Sequence, residues 1–156
     1  MPMKTVRERI IERVMAQLET ISRHNGYTHD IGVGRVYRGL SCIEQGHPPA
    51  AAVWELAERR ERNTYGGTVR TLLLKIEGLV ACDGIQTAAA VANSLLGDFE
   101  KALMLSDTTL DELIDDIQDV AAEIVYLEPA SGLAAAVIDF EIRYITEWGN
   151  PYHSQL

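Results

Sequence analysis

From Gly132 to Tyr152 the chain reads GLAAAVIDFEIRYITEWGNPY, and this segment narrows the possible folds more than any other. Ala134, Ala136, Ile138, Phe140, Ile142, Tyr144 and Thr146 fall on one side of an extended backbone. Ala135, Val137, Asp139, Glu141, Arg143 and Ile145 fall on the other. One apolar side and one half-charged side at period two describe a long strand buried on a single face. Gly149-Asn150-Pro151 ends it, because these residues favour turns and proline cannot donate to a ladder. The strand is expected to be a principal member of one sheet, with the earlier elements packed on or beside it.

Upstream, Val6, Ile10, Val14, Leu18 and Ile21 recur at spacings of three and four, so Thr5 to about Arg23 is expected to be an amphipathic helix. Asn25-Gly26 suits its end. Gly32 to Leu40 is a strand candidate with poorly separated faces, and Ser41 to Pro49 a loop. Ala50–Glu58 and Thr68–Val80 flank a charged, Gly-containing link, Arg59 to Gly67, which predicts a β-hairpin. A helix over Ala50–Arg62 competes, since Ala, Glu, Leu and Arg favour one, but Val53-Trp54 tips the reading to strand. Asp83 with Gln86 is expected to cap a second helix running to about Leu105, with Gly97 inside it marking close packing or a bend. Thr109 with Glu112 is expected to open a short acidic helical turn, Leu110 to Asp116. Val120 to Leu127 alternates as a strand, joined through Pro129-Ala130-Ser131-Gly132 to the long one.

The order is therefore α-β-β-β-α-(short α)-β-β. It predicts a single α+β domain over residues 1–156, with a mostly antiparallel sheet of about five strands and two main helices on one face. The N-terminal helix lies within residues 1–24, and residues 150–156 are expected to form a mobile end. At 156 residues the chain is long enough to bury a real core.

A formal charge of -9 argues against a nucleic-acid-binding face, which needs a basic patch. Cys42 and Cys82 are far apart in sequence and read as reduced thiols of a cytosolic protein. The charged N-terminus does not read as a signal peptide, and no apolar run approaches the roughly 20 residues of a membrane span.

No catalytic, cofactor-binding or metal site is expected. His24 and His29 lack a helical metal frame and read as exposed loop imidazoles; His47 and His153 have no nucleophile near them in sequence. Gly32-x-Gly34 lacks the rest of a dinucleotide fingerprint, and the acidic run from Asp107 to Glu123 lacks the spacing of a calcium loop. The charged segments read better as surfaces. The acidic run reads first as a solvated face, and simple solvation is the alternative for the arginines; as an interface, Arg59, Arg60 and Arg62 with Tyr65 would form a basic, aromatic tip and Asp111, Asp115 and Asp116 its acidic complement on a neighbouring subunit.

The order of these elements is similar to that of the tail terminator (minor tail protein U-like) family of long-tailed bacteriophages and prophages. The residues that carry the resemblance are Arg35-Val36-Tyr37-Arg38-Gly39, Pro48-Pro49 leading into Val53-Trp54-Glu55, and Ala89–Leu105 followed by Asp107-Thr108-Thr109-Leu110. The close, Gly149-Asn150-Pro151-Tyr152, resembles the family's terminal Asp-Pro-Tyr, with Asn150 in place of the aspartate. The resemblance implies a structural protein without cofactors. Its partners would be itself, as a homo-hexameric ring, together with the tail tube and the head connector proteins. DNA would pass through such a ring without being bound. It also implies assembly in the bacterial host cytoplasm and residence in the virion tail. A head-tail joining protein is the alternative within that machinery, and a small-ligand-binding or enzymatic α+β domain the alternative outside it.

Overall fold

The computed structural model describes residues 3–156, and it is an α+β fold. Nine regular elements set its shape: α1 (Val6–Glu19), β1 (Val36–Arg38), α2 (Cys42–Gln45), β2 (Ala50–Arg62), β3 (Gly67–Ala81), α3 (Ala88–Glu100), β4 (Asp116–Val125), β5 (Leu133–Glu147) and β6 (Asn150–Ser154). The strands form a six-stranded sheet in the order β1-β2-β3-β5-β4, with β6 also paired to β5. All neighbours are antiparallel except β1 and β2.

β5 has the expected extent and the expected alternation. Ala134, Ala136, Ile138, Phe140, Ile142, Tyr144 and Thr146 are all buried. They face α1 and α3, joined by Leu72, Leu74 and Ile76 of β3 and by Val53 of β2. The stripe Val6, Ile10, Val14, Leu18 closes this core from α1, whose first turn is capped by Thr5 Oγ1 accepting from the Glu8 N–H at 3.0 Å. Gln17 is also buried there, and its amide donates to the Ala102 carbonyl at 3.0 Å, so its polarity is satisfied. The opposite sheet face carries a smaller cluster of Cys42, Ala50, Ala52, Leu79 and Ala135, which α2 covers at one end only.

Several expectations are corrected. The Gly32–Leu40 strand is only the three residues of β1, held parallel to Ala51–Val53. The Ser41–Pro49 loop contains α2. The second helix begins at Ala88, not Asp83: Thr87 Oγ1 accepts from the Ala90 N–H, while Asp83 closes a turn onto the Ile85 N–H. Its last turn, Lys101–Leu105, widens to a π-helix. Gly97 meets nothing a methyl group would touch, so close packing does not explain it. The close approach is at Gly78, where a Cβ would stand 2.5 Å from Phe99 Cζ.

The acidic turn expected as a helix from Leu110 is left-handed instead. Leu110, Asp111 and Glu112 have φ of 46°, 61° and 61°. Each such residue costs about 1–2 kcal/mol. Burial of Leu110 offsets part of that cost, and so does Asp107, whose carboxylate accepts from the N–H groups of Thr109 and Asp111. These bonds also hold the Asp107 carboxyl below the usual carboxylate range. Asp116, expected in that turn, opens β4. Residues 150–156, expected to be a mobile end, contribute β6, with Ser154 opposite Thr146 and the Gln155 N–H bonded to the Ile145 carbonyl. Pro151 is tolerated because β6 lies at a margin of the sheet.

Candidate interaction surface

β3 and β5 are 15 residues each, roughly 50 Å of strand, while α1 spans only about 20 Å and α3 with its π-helical last turn about 25 Å. The sheet therefore outruns its helices. At the end holding Arg62, Gly67 and Glu147 it continues as an arm whose cover is largely polar, from Arg7 and Arg9 of α1 and from β6, with Arg9 Nη2 donating to the Tyr152 carbonyl.

The base of the arm is a linked set of charges. Register places Arg60, Arg70 and Tyr144 in one row across β2, β3 and β5. An irregularity in β2 between Glu55 and Glu58 swings Glu58 over this row. Its side chain is only 3% exposed and lies 2.6 Å from Arg60 Nε, 3.6 Å from Arg70 Nη1 and 3.7 Å from Arg7 Nη1. The Tyr144 hydroxyl donates to Glu58 as well. Burial and this carboxylate push the Tyr144 phenol upward in pKa. Arg70 Nε donates to Thr146 Oγ1 at 3.2 Å. The set continues through Glu55 to Arg38, which makes a two-pronged contact with Glu8 at 2.7 and 2.9 Å. Those bonds hold the Glu8 carboxyl below its ordinary range.

Two turns lie side by side at the tip. The Trp148 N–H donates to the Gly66 carbonyl at 2.7 Å, joining the β5–β6 turn to the β2–β3 turn. The Arg62 guanidinium lies over the Trp148 ring at 4.0 Å. Tyr65 is 85% exposed and Trp148 58%. Paired aromatic and arginine side chains in the open are the composition of a protein-contact surface.

The uncovered part of the second sheet face holds a hollow of about 180 Å³ lined by Arg59, Thr71, Asp116, Gln118, Glu141 and Arg143. Arg59 lies 3.8 Å from Glu141, and Arg143 2.6 Å from Asp115.

The expected interface residues thus divide. Arg59 and Asp116 line opposite sides of this hollow within one chain, with β3 and β5 between them and Asp115 paired to Arg143. Arg60 is committed to Glu58, and Arg62 to Trp148. Tyr65 stands free at the tip. Asp111 lies across the molecule on the left-handed turn, in an ion pair with Arg13 at 3.3 Å. Sequence reasoning passed over Glu58, Arg70 and Trp148. Arg70 interrupts the apolar alternation of β3, which was the available signal.

Both lateral margins of the sheet are open. Beyond Val53 no strand among the described residues pairs with the outer side of β2, and none pairs with the outer side of β4. β4 exposes Val120, Ala121 and Ala122. Outside these surfaces, His29 is half-buried rather than an exposed loop imidazole. Its Nε2 lies 2.8 Å from Ser94 Oγ. Ser94 donates to the Val91 carbonyl, and Asp98 accepts from the backbone N–H groups of Thr28 and His29, so the trio pins a loop to α3. Among the described residues no group of three or more His, Cys, Asp or Glu is placed to hold a metal ion.

No family model and no curated protein matches the chain. Among solved structures it is similar to a chain from the "Virion of native gene transfer agent (GTA) particle", at 15% identity and a TM-score of 0.41, covering 89% of this chain and 90% of that one. At that score the likeness does not bear on what this chain does.

Proposed function

We propose that this chain is a structural subunit of a phage-type tail, a terminator that assembles as a ring on the finished tube, stops its growth and offers the surface to which the head attaches. The observation that carries this reading is the sheet left open at both lateral margins, on a chain that resembles the terminator family in the order of its elements. Long unpaired edges are an aggregation hazard in a lone subunit and are removed when subunits join. The exposed Tyr65, Arg62 and Trp148 at the arm tip give a second contact surface, suited to the tube. A formal charge of -9 lets DNA pass a ring of such subunits without adhering.

The test is removal of the chain from assembling particles. Tubes of uncontrolled length that fail to join heads are expected, with length restored by adding the purified protein. Tails of normal length in its absence would overturn the reading. Retention of the protein on isolated tubes, and not on isolated heads, separates a terminator from a head-tail joining protein.

A further inference from the structure

The structure assigns the two open margins to each other: the outer edge of β2 in one copy pairs antiparallel with the outer edge of β4 in the next. This rests on the ring reading above and specifies the joint.

Three observations select this pairing. The first is polarity. β2, β3, β5 and β4 alternate in direction across the sheet, so β2 and β4 run oppositely. Copies that share one orientation around a ring axis therefore bring β4 of one antiparallel to β2 of the next, and the sheet continues across the joint without a break in pattern. The second is length. The free run of β2, Glu55–Arg62, has 8 residues, and β4 has 10.

The third is charge. β4 reads DIQDVAAEIV, with Asp116, Asp119 and Glu123 and no basic residue. The free run of β2 carries Arg59, Arg60 and Arg62 together with Glu55, Glu58 and Glu61, the arginines lying toward its Arg62 end. In an antiparallel unlike pair that sets Arg59 opposite Asp119, Arg62 falls opposite Asp116, two favourable pairs against one unfavourable one, Glu55 opposite Glu123. A head-to-tail interface of unlike edges propagates, and it closes into a ring when the rotation permits. Each edge also bears one irregularity with an exposed apolar residue beside it, Leu56 on β2 and Val120 on β4. Such an irregularity discourages a generic strand from docking and leaves a shaped partner favoured.

The experiment is a cysteine scan in a Cys82→Ser background, leaving the buried Cys42 in place. Leu56→Cys is combined in turn with cysteine at each position from Gln118 to Glu123, and the protein is oxidised on tubes where rings are seen by electron microscopy. At least one double variant is expected to give a covalent ladder running past the dimer to the full ring, while each single variant stays monomeric under denaturation. Dimers from a single variant would mean like edges meet, and would overturn the pairing. Rings seen in the microscope with no ladder from any double variant would overturn the pairing and leave the terminator reading standing. No rings on any tube would overturn that reading, and the pairing with it.

Discussion

The two ends of β3 are built on opposite principles. Near Gly78 the strand lies so close to α3 that the Phe99 ring occupies the place of a side chain, and the surroundings are apolar and dry. Near Arg70, eight residues along the same strand and on the same face, a buried carboxylate gathers arginines and a phenol. The first end gains stability from area removed from water. The second holds its shape through directional contacts whose net worth is small but whose interruption is costly. At this end the helix layer contributes the Arg7 guanidinium rather than an apolar side chain, so the row around Tyr144 is held by charge.

Four measurements bear on that contrast. The largest effect is expected from Phe99→Ala, which empties the site above Gly78 and costs about 4 kcal/mol in denaturant unfolding. Loss below 1 kcal/mol would show that the Gly78 end is not the anchor. Glu58→Ala strands Arg7, Arg60 and Arg70 around an empty site and is expected to cost about 3 kcal/mol. Hydrogen exchange should then rise in Arg59–Val69 while β3 under the helices stays protected; uniform loosening would mean that the two ends are one cooperative unit. Gly97→Ala should stabilise by about 1 kcal/mol, because the position is helical, exposed and free of contacts.

The last is a pH profile, expected to be shallow. Burial pushes the His29 imidazole below its ordinary value, with Asp98 opposing. The folded chain therefore binds that proton less readily than the unfolded one. Stability from His29 is complete above about pH 6.5 and is lost as pH falls from there through the folded value. Glu8 and Asp107 are also lowered, so their contributions hold above the unfolded carboxylate range and go as pH falls through their folded values. Melting temperature should fall in two stages on acidification, and His29→Gln should remove the upper one. An unchanged upper stage would assign it elsewhere.

The apolar end was the legible one. The stripe of α1, the alternation of β5 and the hairpin from Ala50 to Val80 all follow from periodicity, because an element packed on one face must repeat its apolar residues at its own pitch. What periodicity could not reach depends on contacts distant in sequence. The Glu58 site needs an irregularity between Glu55 and Glu58 that no residue pattern announces. The Leu110–Glu112 turn satisfies a helix-cap pattern, with the Glu112 N–H bonded to Thr109 Oγ1, yet winds the other way because Leu110 must reach the core. At the surface, Arg60 and Arg62 were visible as charges, but their partners Glu58 and Trp148 were visible only once the strands were in register. β6 escaped notice because proline in Asn150-Pro151 reads as a stop wherever a strand is not already at a margin.

From Glu58 to Thr64 the arm reaches about 20 Å past its pivot, at roughly 3.3 Å per residue. Leverage follows from that reach. A twist of about ten degrees at the Glu58 cluster carries Tyr65 and Trp148 through some ~3–4 Å, on the same strand rise. A subunit shaped in this way would turn a small twist at its charged base into a larger displacement of its aromatic tip.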